Sequence, residues 1–141
     1  LELADYEKLT SEVTATPEIL ADNLFGENPC AEVLIGIVGE HPVGYALFFR
    51  TFSTFTGKPG LYLEDIYVRP DFRNRGYGKR LLQKVARLAV DRGCARLEWS
   101  VLDWNQLAID FYRSLGAVPL SEWVGQRLAG AALNSVAESS E

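Results

Sequence analysis

Methionine is absent from the 141-residue chain, and cysteine and histidine are scarce, with two residues and one residue. A chain without methionine does not begin at a natural start codon, so we expect its natural N-terminus to lie further upstream. Cys30 and Cys94 are too few for a disulfide scaffold and lack the spacing of a metal site. His41, the single histidine, falls in a predicted turn, where we expect it to face solvent. These absences exclude a disulfide-rich secreted domain and predict no bound metal.

Long apolar runs are absent as well, since stretches such as residues 45–49 fall far short of the roughly 18 residues that span a bilayer. The N-terminus has no charged-then-apolar signal peptide. Hydrophobic residues make up 48% of the chain and charged residues 23%, which is typical of a globular protein. We therefore predict a single cytoplasmic domain over residues 1–141, with no membrane contact and with a frayed polar tail from about residue 134.

Positive charge is concentrated in one short segment of an otherwise acidic protein. The net charge is −5, yet residues 69–87 carry +6, while residues 1–68 carry −8 and residues 88–141 carry −3. A focused positive patch suits a compact anion such as a phosphate cluster. A nucleic acid usually needs a broader basic surface, so we predict none as a partner. Arg80, Lys84 and Arg87 are equally explained as the solvated face of a helix.

Strand and helix patterns alternate along the chain. The patterns predict strands over residues 31–38, 43–52, 61–68 and 95–102, with one or two short strands within 118–128. They predict helices over residues 1–8, 16–23, 78–92 and 105–115, and a loop over 53–60. Strands joined by helical crossovers indicate a mixed α/β sheet.

The segment Arg73-Asn74-Arg75-Gly76-Tyr77-Gly78-Lys79 lies between a predicted strand and a predicted helix. Unpaired N–H groups at a helix start favour an anion, and glycine lets the backbone approach it closely. Arg73, Arg75 and Lys79 add charge-assisted contacts. A P-loop needs Ser or Thr after Gly-Lys, and a dinucleotide fingerprint needs a third glycine where Leu81 stands. We therefore predict a phosphate-binding loop of another kind.

This loop resembles the acetyl-CoA pyrophosphate loop of the GNAT superfamily of N-acetyltransferases. Further segments resemble its spermidine/spermine (diamine) and thialysine acetyltransferase branch, namely residues 3–7, 25–29, 61–68 and 101–112. The resemblance implies the GNAT (acyl-CoA N-acyltransferase) fold, a mixed α/β sheet flanked by helices and splayed between the strands over 61–68 and 95–102. It also implies a first strand that this chain lacks, and a homodimer.

The resemblance implies acetyl-CoA as the co-substrate. Its pantetheine arm would hydrogen-bond the strand edge at Ile66 and Val68, and its pyrophosphate would lie on residues 73–79. The positions that match coenzyme A contacts of the branch are Ile66, Tyr67, Val68, Arg73, Asn74, Arg75, Gly76, Tyr77, Gly78, Lys79, Asn105, Ala108 and Tyr112. Asn105 is equally suited to cap the helix that follows it, and the two roles are compatible.

Acetyl transfer to an amine needs a neutral amine, a donor for the oxyanion and an acid for the leaving thiolate. Tyr112 suits the last role, because a phenol with a pKa of about 10 is protonated at neutral pH, and the matching Tyr of the branch is its proposed general acid. Packing on the apolar face of a helix is the alternative role for this ring.

The resemblance also assigns roles to two adjacent carboxylates. It places Glu64 at the amine as the base, directly or through a water, and Asp65 beside it or at a dimer interface. Because neighbours on a strand alternate, we expect the two side chains to point to opposite faces. A structural salt bridge is the alternative role for the pair.

Tyr6 and Glu7 match positions that contact the polyamine in the branch, and the acidic first half of the chain would attract a cationic amine. Two departures bear on the substrate. Ser53-Thr54-Phe55 stands where polyamine enzymes have an acid and a Trp, and Val124-Gly125-Gln126 stands where both kinds of relative have Glu-Gly-Trp. The loss of an acid and a cation-binding aromatic disfavours long polyamines and favours a shorter or lysine-like amine.

The sequence thus predicts an N-acetyltransferase that moves an acetyl group to the primary amine of a small molecule, a diamine, polyamine or lysine-like amino acid, by direct attack in a ternary complex. A non-catalytic coenzyme A-binding module would keep the loop but would need neither Tyr112 nor Glu64. A protein or nucleic-acid acetyltransferase would need an extended groove. Covalent catalysis through Cys94 is disfavoured, because a helix C-terminus opposes a thiolate.

Overall fold

A computed structural model of the chain describes residues 1–139. These residues form two compact units, of which the first comprises Leu1–Leu102 and the second begins at Asp103. The helices and strands of the first unit are α1 (Glu2–Tyr6), α2 (Pro17–Phe25), β1 (Glu32–Val38), β2 (His41–Ser53), β3 (Lys58–Val68), α3 (Tyr77–Asp91) and β4 (Arg96–Trp99). Two short 3-10 helices lie at Thr10–Glu12 and Pro70–Phe72.

The four strands form one mixed sheet in the order β1-β2-β3-β4. The first three strands are antiparallel neighbours, and β4 runs parallel to β3. A parallel pair needs a crossover, which α3 supplies between β3 and β4. The predicted mixed α/β architecture is confirmed.

The hydrophobic core lies between the sheet and α3. Its buried side chains come from β2, β3 and one stripe of α3, and they are Val43, Ala46, Phe48, Leu61, Leu63, Leu81, Leu82, Val85 and Ala89. The helical stripe follows the i, i+4 spacing that places side chains on one face. Arg92, at the end of α3, also forms a two-pronged ion pair with Glu32 of β1. These contacts hold the sheet and helix in one body.

The sheet opens between β3 and β4. β4 pairs with β3 only from Gly60 to Leu63, whereas β3 continues to Val68 alongside β2. Within residues 1–139, no strand pairs with the β4 side of β3 beyond Leu63. Unpaired strand edges present hydrogen-bonding backbone groups. The predicted splay is therefore present, and β4 ends at Trp99 rather than at residue 102.

The hairpin between β2 and β3 is longer than the sequence predicts. Residues 53–60 were expected to form a loop, but the pairing continues to Ser53 opposite Lys58. The turn therefore shrinks to residues 54–57, because cross-strand pairing overrides the weak strand propensity of Ser, Gly and Pro.

The second unit contains α4 (Gln106–Ser114) and α5 (Gly130–Glu138). The predicted strands within residues 118–128 are wrong, since the described chain has only turn and irregular backbone there. Pro119 and Gly125 disfavour a strand, and no neighbouring strand pairs with this segment in the described part of the sheet. Helix α5 continues to Glu138, and the fraying from about residue 134 stays a prediction. Residues 140 and 141, the end of that predicted tail, lie outside the described residues.

Candidate active site

Three carboxylates from two separate elements meet beside the open part of the sheet. Glu7 directly follows α1, while Glu64 and Asp65 lie on β3 at the point where pairing with β4 has ended. Burial raises the pKa of the Glu7 carboxyl, and repulsion from Asp65 and Glu64 raises that pKa further. We call Glu7, Glu64 and Asp65 the acidic cluster. The structure thus brings together the carboxylates that the sequence assigned to the amine.

A β-bulge in β3 shapes the acidic cluster. Leu47 of β2 lies opposite Asp65 and Phe48 lies opposite Leu63, so Glu64 is an additional residue without a partner in the ladder. A bulge breaks the alternation of side chains along a strand. The expectation that Glu64 and Asp65 point to opposite faces assumed a regular strand. The bulge removes that regularity, and the charges of both carboxylates act on Glu7.

Tyr45 of β2 joins the acidic cluster, although the sequence analysis did not identify it. Its hydroxyl donates to Oδ2 of Asp65 over 3.4 Å. Burial raises the pKa of Asp65, and the hydrogen bond from Tyr45 opposes that rise. Burial and the charge of Asp65 also raise the pKa of the Tyr45 phenol, so it stays a donor at neutral pH. Only the β2–β3 register places these residues together, so no local sequence signal could have found Tyr45.

The last residues of β3 carry the predicted coenzyme A edge. Ile66, Tyr67 and Val68 pair with β2 on one side, and no strand of the described chain pairs with them on the other. The Val68 carbonyl accepts a hydrogen bond from Nε of Arg73 over 2.8 Å. That guanidinium also lies 5.3 Å from the ring centre of Tyr6 and 5.2 Å from that of Tyr67.

The predicted phosphate loop leads directly into α3. Gly76, the residue before the helix, has φ +82°, a left-handed conformation that favours glycine. No side chain caps this helix start, and its first turn contains no acidic residue but does contain Lys79. Cations at a helix N-terminus are unfavourable by themselves, so this charge pattern fits an anion held against the amides.

The remaining predicted coenzyme A contacts lie in the second unit, at Asn105 directly before α4 and at two positions on α4. Oδ1 of Asn105 accepts a hydrogen bond from the Ala108 amide over 3.3 Å, which confirms its capping role. Tyr112 lies one turn beyond Ala108 on the same helix and is half-buried, with its ring centre 5.6 Å from that of Phe111. The spacing of Ala108 and Tyr112 places them on one helix face.

An open strand edge and an uncapped helix start behind a basic loop are the features that a coenzyme A thioester needs. An acidic cluster beside that edge suits an amine, so fold and site define a coenzyme A-dependent acyltransferase. Residues 2–117 match the Acetyltransferase (GNAT) family, and the chain belongs to this family. The predicted family, fold class and enzyme class are confirmed, and membership implies acetyl-CoA as the co-substrate.

Curated relatives cover most of the chain. It is 42% identical over 147 aligned residues to "Thialysine N-epsilon-acetyltransferase" of Sus scrofa, covering 96% of this chain and 86% of that protein. It is 42% identical to the protein of the same name from Caenorhabditis elegans, with 97% and 86% covered. Among solved structures, an integron cassette protein from the mobile metagenome of V. cholerae superposes with a TM-score of 0.82 and 27% identity, covering 98% of this chain and 86% of that chain. In residues 1–139, no helix combines the length and the apolar character required to span a membrane.

Proposed function

We propose that this protein transfers the acetyl group of acetyl-CoA to the side-chain amine of a lysine-like amino acid, or to a short diamine, by direct attack in a ternary complex. The observation that carries the proposal is the acidic cluster at the bulge of β3, beside the open strand edge. The names of the thialysine N-epsilon-acetyltransferases support the same substrate class.

The acidic cluster would first bind the amine as an ammonium ion. A cation relieves the repulsion that the carboxylates exert on Glu7. We propose Glu64 as the base that then removes a proton, directly or through a water, because this residue is exposed to solvent. Asp65, held by Tyr45, would keep its charge beside the amine and orient it. The Tyr6 side chain would line the amine site next to Glu7.

We propose that residues 66–68 hold the pantetheine arm and that residues 73–79 hold the pyrophosphate. Acetyl-CoA supplies a thioester whose acetyl group an amine attacks readily. Asn105 and Ala108 on α4 are proposed as further coenzyme A contacts. We propose Tyr112 as the acid that delivers a proton to the leaving thiolate sulfur. The residues present fit the co-substrate because the α3 start has open amides and a basic first turn.

We also propose a homodimer, as the resemblance implies. Two phenylalanines near the turn of the β2–β3 hairpin support it, since Phe52 is 67% exposed and Phe55 is 88% exposed. Exposed aromatic side chains are enriched at protein–protein contacts.

Thiol release from acetyl-CoA with a panel of amines tests the proposed function. We expect kcat/KM to be highest for thialysine and lysine, lower for cadaverine and putrescine, and lowest for spermidine. Lysine and cadaverine are a matched pair, because they differ only in the carboxylate. Silence across the panel in protein that still binds acetyl-CoA would contradict the proposal and favour a coenzyme A-binding module. Turnover of a lysine-containing peptide alone would favour a protein acetyltransferase.

Replacing Glu7 with Gln is expected to raise KM for the amine about tenfold, because one charge-assisted contact is lost. The same substitution is expected to raise Tm at neutral pH by about one or two degrees. The stability gain arises because the Gln side chain is not repelled by Asp65 and Glu64. Melting curves and steady-state kinetics measure the two effects.

The pH dependence of this stability gain has a definite sign. The folded-state pKa of Glu7 is raised, so folding favours the protonated carboxyl and stability falls as pH rises through that pKa. The Tm difference between E7Q and the wild type should therefore be present at neutral pH and vanish as the pH falls below the pKa of Glu7. Glu12→Gln, which removes one exposed charge of the Thr10–Glu12 helix, is the control. An equal gain in E12Q would show that net charge, and not the acidic cluster, is the cause.

A further inference from the structure

Arg73 makes contacts that its predicted phosphate-binding role does not explain. Its Nε donates to the Val68 carbonyl over 2.8 Å, and its guanidinium lies against the rings of Tyr6 and Tyr67. The side chain thus reaches from the first residue of the phosphate loop to the last residue of α1. Both aromatic contacts lie within the range at which a guanidinium and a ring attract each other.

Helix α1 depends on such contacts for its position. It has only five residues, no buried side chain and no side-chain cap at its N-terminus. A helix this short is not stable by itself in water. Glu2, the first residue of α1, also lies near Tyr67 of β3, since burial and then the charge of Glu2 raise the pKa of that phenol. Both ends of the helix thus lie near the end of β3, Glu2 directly and Tyr6 through Arg73.

The position of α1 decides where Glu7 lies. Glu7 directly follows Tyr6 and faces the like charges of Glu64 and Asp65. Like charges oppose this arrangement, so an attractive contact must hold the adjacent residue in place. The contact between Arg73 and Tyr6 is attractive, and Tyr6 is the residue next to Glu7 in the chain.

We infer that Arg73 is a positioning residue for the amine, which it serves by fixing Tyr6 and thereby Glu7 against the end of β3. The inference rests on the proposed transfer of acetyl to an amine. Arginine has five N–H donors, so a contact with phosphate is compatible with this role. The role couples the two substrate sites, because one side chain begins the phosphate loop and also secures the helix that carries Glu7.

Steady-state kinetics with both substrates varied, on Arg73→Ala and its matched control Arg75→Ala, test the inference. Arg75 lies in the same loop, but its guanidinium lies 5.6 Å from the ring centre of Phe72, which is not part of α1. R73A is expected to raise KM for the amine about tenfold and KM for acetyl-CoA by less. R75A is expected to do the reverse. An R73A variant that raises only KM for acetyl-CoA would overturn the inference.

Tyr6 provides the second arm. Tyr6→Ala should reproduce the amine defect of R73A, whereas Tyr6→Phe keeps the ring and should raise KM for the amine less than Y6A does. The R73A/Y6A double variant should be no worse than either single variant, because both remove one contact. If the increases in KM for the amine multiply in the double variant, the inference is overturned. If R73A does not fold, Arg73→Lys replaces it. Arg73→Lys keeps the charge and should raise KM for the amine less than Y6A does.

Hydrogen exchange of the amides of residues 3–9 is a readout that does not depend on turnover. R73A and Y6A should accelerate this exchange and R75A should not. Inactivity of the wild type with every amine, together with the expected exchange pattern, would contradict the proposed function and leave the anchoring role of Arg73 supported. Unchanged exchange in R73A would overturn the anchoring role, whatever the wild-type activity.

Discussion

Tyr112→Phe is expected to lower kcat about 100-fold, the loss of a general acid, while the Kd for acetyl-CoA stays within about twofold of the wild type. The substitution removes one hydroxyl from α4 and keeps the ring that lies near Phe111. If the hydroxyl delivers the proton to the leaving thiolate, the chemical step slows and binding does not. Stopped-flow measurement of thiol release and calorimetric titration with acetyl-CoA separate the two quantities.

Tyr62→Phe is the matched control for this prediction. Tyr62 lies on β3, is stacked on Phe49 with ring centres 5.3 Å apart, and its hydroxyl shares a hydrogen bond of 2.7 Å with Ser100. Loss of this hydroxyl should leave kcat unchanged and lower the free energy of unfolding by about 1 kcal/mol, the usual value of one hydrogen bond. A Y112F variant with wild-type kcat would remove Tyr112 from the mechanism and leave it the packing role that the sequence also allowed.

Gly44→Ala is expected to destabilise the fold by about 3 kcal/mol, near the upper end for overpacking. A Cβ at this position would lie 2.4 Å from the Tyr67 carbonyl oxygen and 3.1 Å from Cα of Val68. Both atoms belong to the backbone of β3, so no side chain can move aside to make room. The strands must separate at the Gly44–Val68 pair, which also carries the carbonyl that Arg73 binds.

Gly36→Ala is the control for Gly44→Ala, because Gly36 of β1 pairs directly with Gly44. A Cβ at Gly36 would have its nearest neighbours at 3.7 Å, which is ordinary van der Waals contact. We expect the free energy of unfolding of G36A to lie within about 0.5 kcal/mol of the wild-type value. G44A should have a lower Tm and a higher KM for acetyl-CoA. Equal denaturation midpoints for the two variants would contradict the close approach of β2 and β3.

The features that the sequence predicted well are those encoded in contiguous residues. The helix predicted from residue 16 has its start signal in neighbouring residues, since Thr16 accepts from the Ile19 amide over 3.2 Å and Pro17 is the first residue of α2. Asn105 caps α4 in the same way. The apolar stripe of α3 follows helical spacing, and the loop over residues 73–79 is one segment whose charges and glycines are visible in order.

The features that the sequence missed depend on strand register. The bulge at Glu64, the hydrogen bond from Tyr45 to Asp65 and the approach of Gly44 to β3 all arise from how β2 lies against β3. A register shift of one residue would move every side chain of a strand to the other face. No pattern within either strand specifies this alignment, so the composition of the acidic cluster could not be completed from the sequence.

Residues that are neighbours along the chain specify the mixed α/β class, the family and the basic, glycine-containing segment over residues 73–79. The tertiary structure alone decided that Glu7 meets Glu64 and Asp65, and that Arg73 secures Tyr6. These contacts join residues more than fifty positions apart, and packing of α1 and β2 against β3 brings them within reach. Local propensity is a property of short segments, whereas a site made of distant segments is defined only when the whole sheet has formed.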